Sequence, residues 1–312
     1  MYNELSLQLT MPSIHASLYT TLKGHTSAIY TLAGGGDDLY TTGGDGQVVK
    51  WNLAKPIDGL LMARMGMQIF SMALMPDKRH MLLGQMHGGI HILDLDDQQE
   101  DKHLALHTQG VFDLITTDNH FIAAGGDGAL SLWRTIDYSL GLKIALSDSS
   151  LRALAIHPNG FQLAVGSSDN SIYVLSLHDF KVSQKLDGHE NSVFTVCYSP
   201  DGRYLLSGSR DAHFMVWDVV DGYKPIHRIP AHLFTINHIV YSPDGKLFAT
   251  ASRDKDVKIW DACTFSLLKV LDRHKFEGHI NSVNRLYWNN KYLVSVGDDR
   301  VIKLWCITNS EG

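Results

Sequence analysis

Cysteine is scarce. The chain has three, Cys197, Cys263 and Cys306, and their wide separation fits neither a disulfide framework nor a zinc-binding set. Cys197 and Cys306 fall in strand-like runs, where a buried thiol acts as a small hydrophobe. Long apolar stretches are also missing: no run reaches the roughly 18 residues that a membrane-crossing helix needs. The first residues, MYNELSLQLTMPSIH, have neither the basic start nor the apolar centre of a secretory signal. There is no excess of positive charge. The net charge is -6 with both signs spread along the chain, which removes the electrostatic case for nucleic acid. The expectation is a soluble cytoplasmic protein with no membrane or nucleic-acid partner, of open oligomeric state.

What is present is repetition. The stretch Gly188 to Asp218 reads GHENSVFTVCYSPDGRYLLSGSRDAHFMVWD. Apolar runs VFTVCY, YLLSG and FMVW are separated by the turns SPDG and at Asp211, which reads as three antiparallel strands with a fourth to follow. A turn residue stands six positions before a Trp or Leu seven times, from Asp45 and Trp51 to Asp299 and Trp305. The Trp-type positions are spaced by 42, 40, 42, 42, 43 and 45 residues, the period of about 40–45 that a four-stranded propeller blade requires. Seven units over residues 15–308 leave 1–14 and 309–312 as tails and no room for a second domain. The seventh unit ends after its third strand, while HASLYTT at 15–21 is one strand too many. The N-terminal strand is therefore expected to complete the last blade, which removes an open edge.

Gly-His at the start of the unit, SPDG or HPNG in its middle and Trp-Asp at its end resemble the WD-repeat (WD40-type) β-propeller family over nearly the whole chain. The resemblance implies an all-β, seven-bladed propeller of four-stranded antiparallel blades, acting as a non-catalytic interaction scaffold or as a subunit of a larger assembly.

Four units carry a His, a Ser or Thr, an Asp and a Trp in phase: His25, Thr41, Asp45 and Trp51; His189, Ser207, Asp211 and Trp217; His232, Thr250, Asp254 and Trp260; His279, Ser295, Asp299 and Trp305. The composition mimics a nucleophilic triad. Four copies argue instead for a structural network, in which a hydroxyl accepts the buried indole N–H and a turn carboxylate orients the imidazole. Units two, three and four are expected to lack it and to rely on apolar packing. Met65, Leu83, His87 and Leu93 stand in unit two; Ala123 replaces the hydroxyl of unit three beside His107 and Asp127; Ser147, Val165 and Leu175 leave only Asp169 in unit four. The GGDG runs at 43–46 and 125–128 lack the Lys and helix of a phosphate loop and read as turns. The histidines show no metal-ligand spacing, and neither metal nor cofactor is expected.

In the family this chain resembles, one propeller rim is built from two positions after the repeat His and one before the turn Asp. Carried over, this implies a partner-binding rim that includes Tyr30, Phe70, Phe112, Arg152, Phe194, Arg210, Asn237, Arg253, Asn284 and Asp298. Aromatics and arginine are the types enriched at interaction hot spots. Arginines at the rim of an acidic protein suggest a protein or peptide partner with acidic or phosphorylated groups. The alternative is a propeller that binds or hydrolyses a small molecule in its central channel. For this the innermost strands offer only Asp113, His238 and Arg285 beyond Arg152, a thin set for a hydrolase.

Overall fold

A computed structural model describes residues 14–309. The expected tails thus fall almost wholly outside the described residues. Among those residues the strands form seven four-stranded antiparallel sheets, each a simple meander except at the chain ends. Blade five shows the pattern: an inner strand Val193–Tyr198, then Tyr204–Ser209 and His213–Asp218, and an outer strand Lys224–Pro230. The SPDG turn after the first strand is fixed locally. Asp201 Oδ1 accepts the Arg203 N–H at 3.0 Å, and Gly202 takes a φ of 73° that costs a glycine little.

Burial follows position in the blade. The third strand of blade five is buried at Phe214, Met215, Val216 and Trp217, on both faces, whereas its outer strand is exposed at most positions. A sheet covered on both faces needs continuous apolar runs rather than alternation, which is why FMVW carries no polar residue. The core lies between blades. Phe214 and Val216 of blade five pack with Ile236, Ile239, Phe248 and Trp260 of blade six. Leu39, Val49 and Trp51 of blade one meet Val294, Val296 and Ile302 of blade seven. The first strand, Ile14–Lys23, pairs antiparallel with the last, Val301–Asn309, from Ile14 opposite Asn309 to Lys23 opposite Val301. It is the fourth strand of blade seven and closes the ring.

One irregularity recurs in every blade. Pairing between the inner strand and the next slips by one residue after the first inner position: between Ile29 and Thr31, Ile69 and Ser71, Val111 and Asp113, Leu151 and Ala153, Val193 and Thr195, Ile236 and His238, and Val283 and Arg285. The skipped residue is the bulge, and a bulge re-aims its side chain away from the sheet. The seven bulge residues are Tyr30, Phe70, Phe112, Arg152, Phe194, Asn237 and Asn284.

Candidate interaction surface at the channel mouth

The seven bulges converge. All seven residues, with Arg285, line one funnel of about 180 Å³ at the mouth of the central channel. Each is half-buried. Tyr30 and Phe70 meet edge to face at 5.5 Å between ring centroids, and Phe70 stacks on Phe112 at 5.5 Å. The Arg152 guanidinium continues this arc, 4.1 Å above the Phe112 ring and 5.2 Å from Phe194. Arg152 Nε donates to Ser168 Oγ at 2.8 Å, which fixes the fork over the ring. Burial and then the nearby Arg210 charge lower the Arg152 pKa, so this cation is short of anionic neighbours.

The remaining arc is polar and already engaged. Asn237 Nδ2 donates to the Val283 carbonyl at 2.8 Å and to Ser282 Oγ at 3.0 Å. Asn284 Nδ2 donates to the Ile29 carbonyl and to Asp298 Oδ1, both at 2.8 Å. These amides tie blades six, seven and one together. Burial, and then the Asp298 charge, raise the Tyr30 phenol above its usual range and keep it protonated. Arg210, Arg253 and Asp298 are exposed and stand outside the funnel lining. Backbone bonds from their N–H groups to Ser192, Thr235 and Ser282 carbonyls, at 2.9, 3.0 and 2.9 Å, hold them beside the starts of the inner strands.

Below the mouth the inward charges meet each other. Arg285 Nη2 of blade seven lies 2.7 Å from Asp113 Oδ1 of blade three, and Asp113 Oδ2 accepts the Leu154 N–H at 2.9 Å. His238 Nδ1 accepts the Leu286 N–H at 3.3 Å, and burial followed by the Arg285 charge pushes its pKa well below 6.5.

The recurrent networks have one geometry. In blade one Trp51 Nε1 donates to Thr41 Oγ1 at 2.8 Å, His25 Nε2 lies 2.8 Å from the same oxygen, and His25 Nδ1 lies 3.0 Å from Asp45. The carboxylate can only accept, so Nδ1 carries the proton and Nε2 accepts from the hydroxyl. Trp217, His189 and Asp211 gather in the same way around Ser207; Trp260, His232 and Asp254 around Thr250; Trp305, His279 and Asp299 around Ser295. Burial lowers the pKa of His25 and His232 and keeps the imidazoles neutral. Burial alone would raise Asp254, but hydrogen bonds from His232 and the Leu233 and Asp256 N–H groups outweigh it and hold the acid at about 2.

Blade three departs from the sequence expectation. Its network is complete, with Ser131 in place of the missing hydroxyl. Trp133 Nε1 donates to Ser131 Oγ at 2.8 Å, His107 Nε2 lies 2.8 Å from it, and His107 Nδ1 lies 2.8 Å from Asp127. Ser131 is the cross-strand partner of Ala123, so the hydroxyl reaches nearly the same point from the adjacent strand. Blade four is also less apolar than expected. Ser147 Oγ and the Tyr173 hydroxyl donate to Asp169 Oδ2 at 2.7 and 2.6 Å, and Tyr173 is the cross-strand partner of Val165. Blade two packs Met72, Met81, Leu83 and Leu93 in an apolar cluster; its corresponding cross-strand residue, His91, pairs outward with Glu100 at 2.8 Å.

Sequence comparison places these repeats. The family model for the WD domain, G-beta repeat, matches residues 16–52, 99–134, 144–176, 180–218, 223–261 and 268–306, more than half of the chain. The stretch between the first two matches, 53–98, contains the first three strands of the apolar second blade. The Set1 complex component swd1 of Schizosaccharomyces pombe is 35% identical over 86 residues, 28% of this chain and 22% of that protein. The THO complex subunit 6 homolog of Danio rerio is 24% identical over 188 residues, 52% of this chain and 56% of that protein. Echinoderm microtubule-associated protein-like 2 of Rattus norvegicus is 29% identical over 153 residues, 49% of this chain and 22% of that protein. The aligned part is thus less than two thirds of each of these relatives. Seven in-phase blades and six matched repeats make the chain a member of the WD40 repeat family.

Proposed function

We propose that the chain is a non-catalytic interaction platform, a subunit or scaffold of a larger protein assembly, which takes a protein or peptide partner at the channel mouth. One observation carries the reading: every blade spends a β-bulge to turn one side chain into the same funnel. The result is an aromatic and cationic arc that lines the funnel. Two relatives are named as complex components, which supports the same role. Arg152 over Phe112, with the exposed Arg210 charge near it and exposed Arg253 one blade further on, suits an acidic or phosphorylated group on that partner. Channel chemistry is disfavoured because Asp113 and Arg285 are spent on one another. A reducing, cytoplasmic setting suits three free thiols.

The test is affinity capture from the native host with wild type and a Tyr30→Ala/Arg210→Glu/Arg253→Glu variant, read by mass spectrometry. A discrete partner held by wild type and lost by a variant of unchanged melting temperature is the expected result. Equal recovery by both rejects the mouth as the binding surface.

A further inference from the structure

The boundary between blades four and five is bridged by polar side chains. His157 follows the inner strand Leu151–Ile156 directly. Its Nδ1 accepts the Asn159 N–H at 3.1 Å, so Nε2 carries the proton and donates to the Gly202 carbonyl of blade five at 2.9 Å. The imidazole stands edge-on to Tyr198, with centroids 4.9 Å apart. The Tyr198 hydroxyl meets that of Tyr223 at 2.8 Å, and Tyr223 bonds Gln162 Oε1 of blade four at 2.9 Å.

One boundary further round, the tyrosine and the glycine are kept and the other three positions have changed. Ser199 stands where His157 stood, and its hydroxyl turns back to Asp201 in its own turn. Tyr241 corresponds to Tyr198, Gly245 to Gly202 and Tyr204 to Gln162. Phe265 corresponds to Tyr223, and both precede their outer strands at positive φ, 56° and 62°. The imidazole and one phenol oxygen are therefore absent between blades five and six. A groove of about 640 Å³ is present there, bordered by Ser199, Tyr204, Tyr241, Lys246 and Cys263 among others. The Tyr241 side chain, 8% exposed, is left with a buried hydroxyl that has no hydrogen-bond partner.

We propose that this groove is a second docking site, filled by an imidazole side chain of a partner protein. The molecule seats an imidazole of its own in the equivalent place, which identifies the occupant. The incoming ring packs against Tyr241 and donates to the Gly245 carbonyl as His157 does to Gly202. Tyr241 ends the inner strand that begins at Ile236, beside the mouth. The groove therefore opens at the far end of the blade from the funnel, and the two sites can be occupied together.

Cys263 borders the groove and is exposed, so it reports occupancy. The full chain is equilibrated with an imidazole reagent and a cyclohexyl reagent on identical disulfide linkers, at fixed 2-mercaptoethanol, and capture is read by intact mass. Cys263→Ser supplies the background. The expected result is about fivefold greater capture of the imidazole, the ratio that one added hydrogen bond provides. That preference is lost in Ser199→His, which fills the groove from within. Should Ser199→His fail to fold, Phe265→Tyr serves in its place, because its hydroxyl pairs with Tyr241 and narrows the groove. Equal capture of the two reagents by wild type, or a preference undiminished in the folded variant, overturns the proposal.

Discussion

Ser131→Ala removes one oxygen on which two buried groups of blade three depend. Ser131 is fully buried and Trp133 is 6% exposed, so water does not replace the lost hydroxyl. The Trp133 N–H and the His107 Nε2 acceptor each lose their partner at 2.8 Å. An orphaned buried group costs about 1–3 kcal/mol; two of them, with partial relaxation, cost about 2–4 kcal/mol. In a chain of this size that lowers the melting temperature by about 3–6 °C. The second arm is Ala123→Ser in the same background. Its site faces Ser131 across the ladder and corresponds to Thr41, Ser207, Thr250 and Ser295. A hydroxyl there should re-form the network, so the double variant recovers most of the loss, with a coupling of about 1–3 kcal/mol. Denaturant unfolding followed by both tryptophan fluorescence and circular dichroism measures the cycle and checks that the transitions coincide. A Ser131→Ala cost under about 1 kcal/mol, or a double variant no more stable than Ser131→Ala, refutes the reasoning.

Further expectations concern buried charge. Arg285→Met leaves the Asp113 carboxylate with one donor, the Leu154 N–H, and should cost about 3 kcal/mol; adding Asp113→Asn should return most of it in the same unfolding assay. Asp256 is pushed up to about 6 by burial, then by the charges of Asp254 and Asp272. Its folded pKa exceeds the unfolded value of about 4, so ionisation penalises the fold above pH 6, and the penalty vanishes once both states are protonated. Asp256→Asn should therefore raise the melting temperature by a few degrees at pH 8 and leave it unchanged at pH 3.5; equal gains at both pH values reject this assignment.

The fold was legible because a blade is a local object. Its turns, its apolar runs and its Trp recur at nearly constant spacing, and only the closing strand required pairing between the two ends. Four networks were legible for the same reason: the offset from Thr41 to Asp45 is the offset from Ser295 to Asp299. Ser131 was missed because a fixed linear offset cannot see an exchange between facing strands. The signal was present, since Ala123 and Ser131 face each other as Thr41 faces Val49. The bulges were hidden more deeply. Nothing in IYT or VFD marks the second residue as the one displaced, so Arg152 over Phe112 emerges only from the ladder register. The groove between blades five and six was invisible for another reason: it opens where Ser199 and Phe265 carry fewer atoms than His157 and Tyr223 one blade earlier.

Ring closure sets a schedule for the chain during its synthesis. The Lys303 ammonium lies 3.3 Å from the Thr21 hydroxyl, across 282 residues of sequence. At about 5–20 residues per second the ribosome takes about 15–55 s to deliver the last strand to the first. Throughout that interval Ile14–Lys23 has no ladder partner, and blade seven cannot form on either side of the gap. The Asn284 bond to the Ile29 carbonyl, which joins the two ends of the mouth, is made in the same final step. A nascent chain therefore holds an unpaired strand edge without a finished binding surface, and both conditions end together.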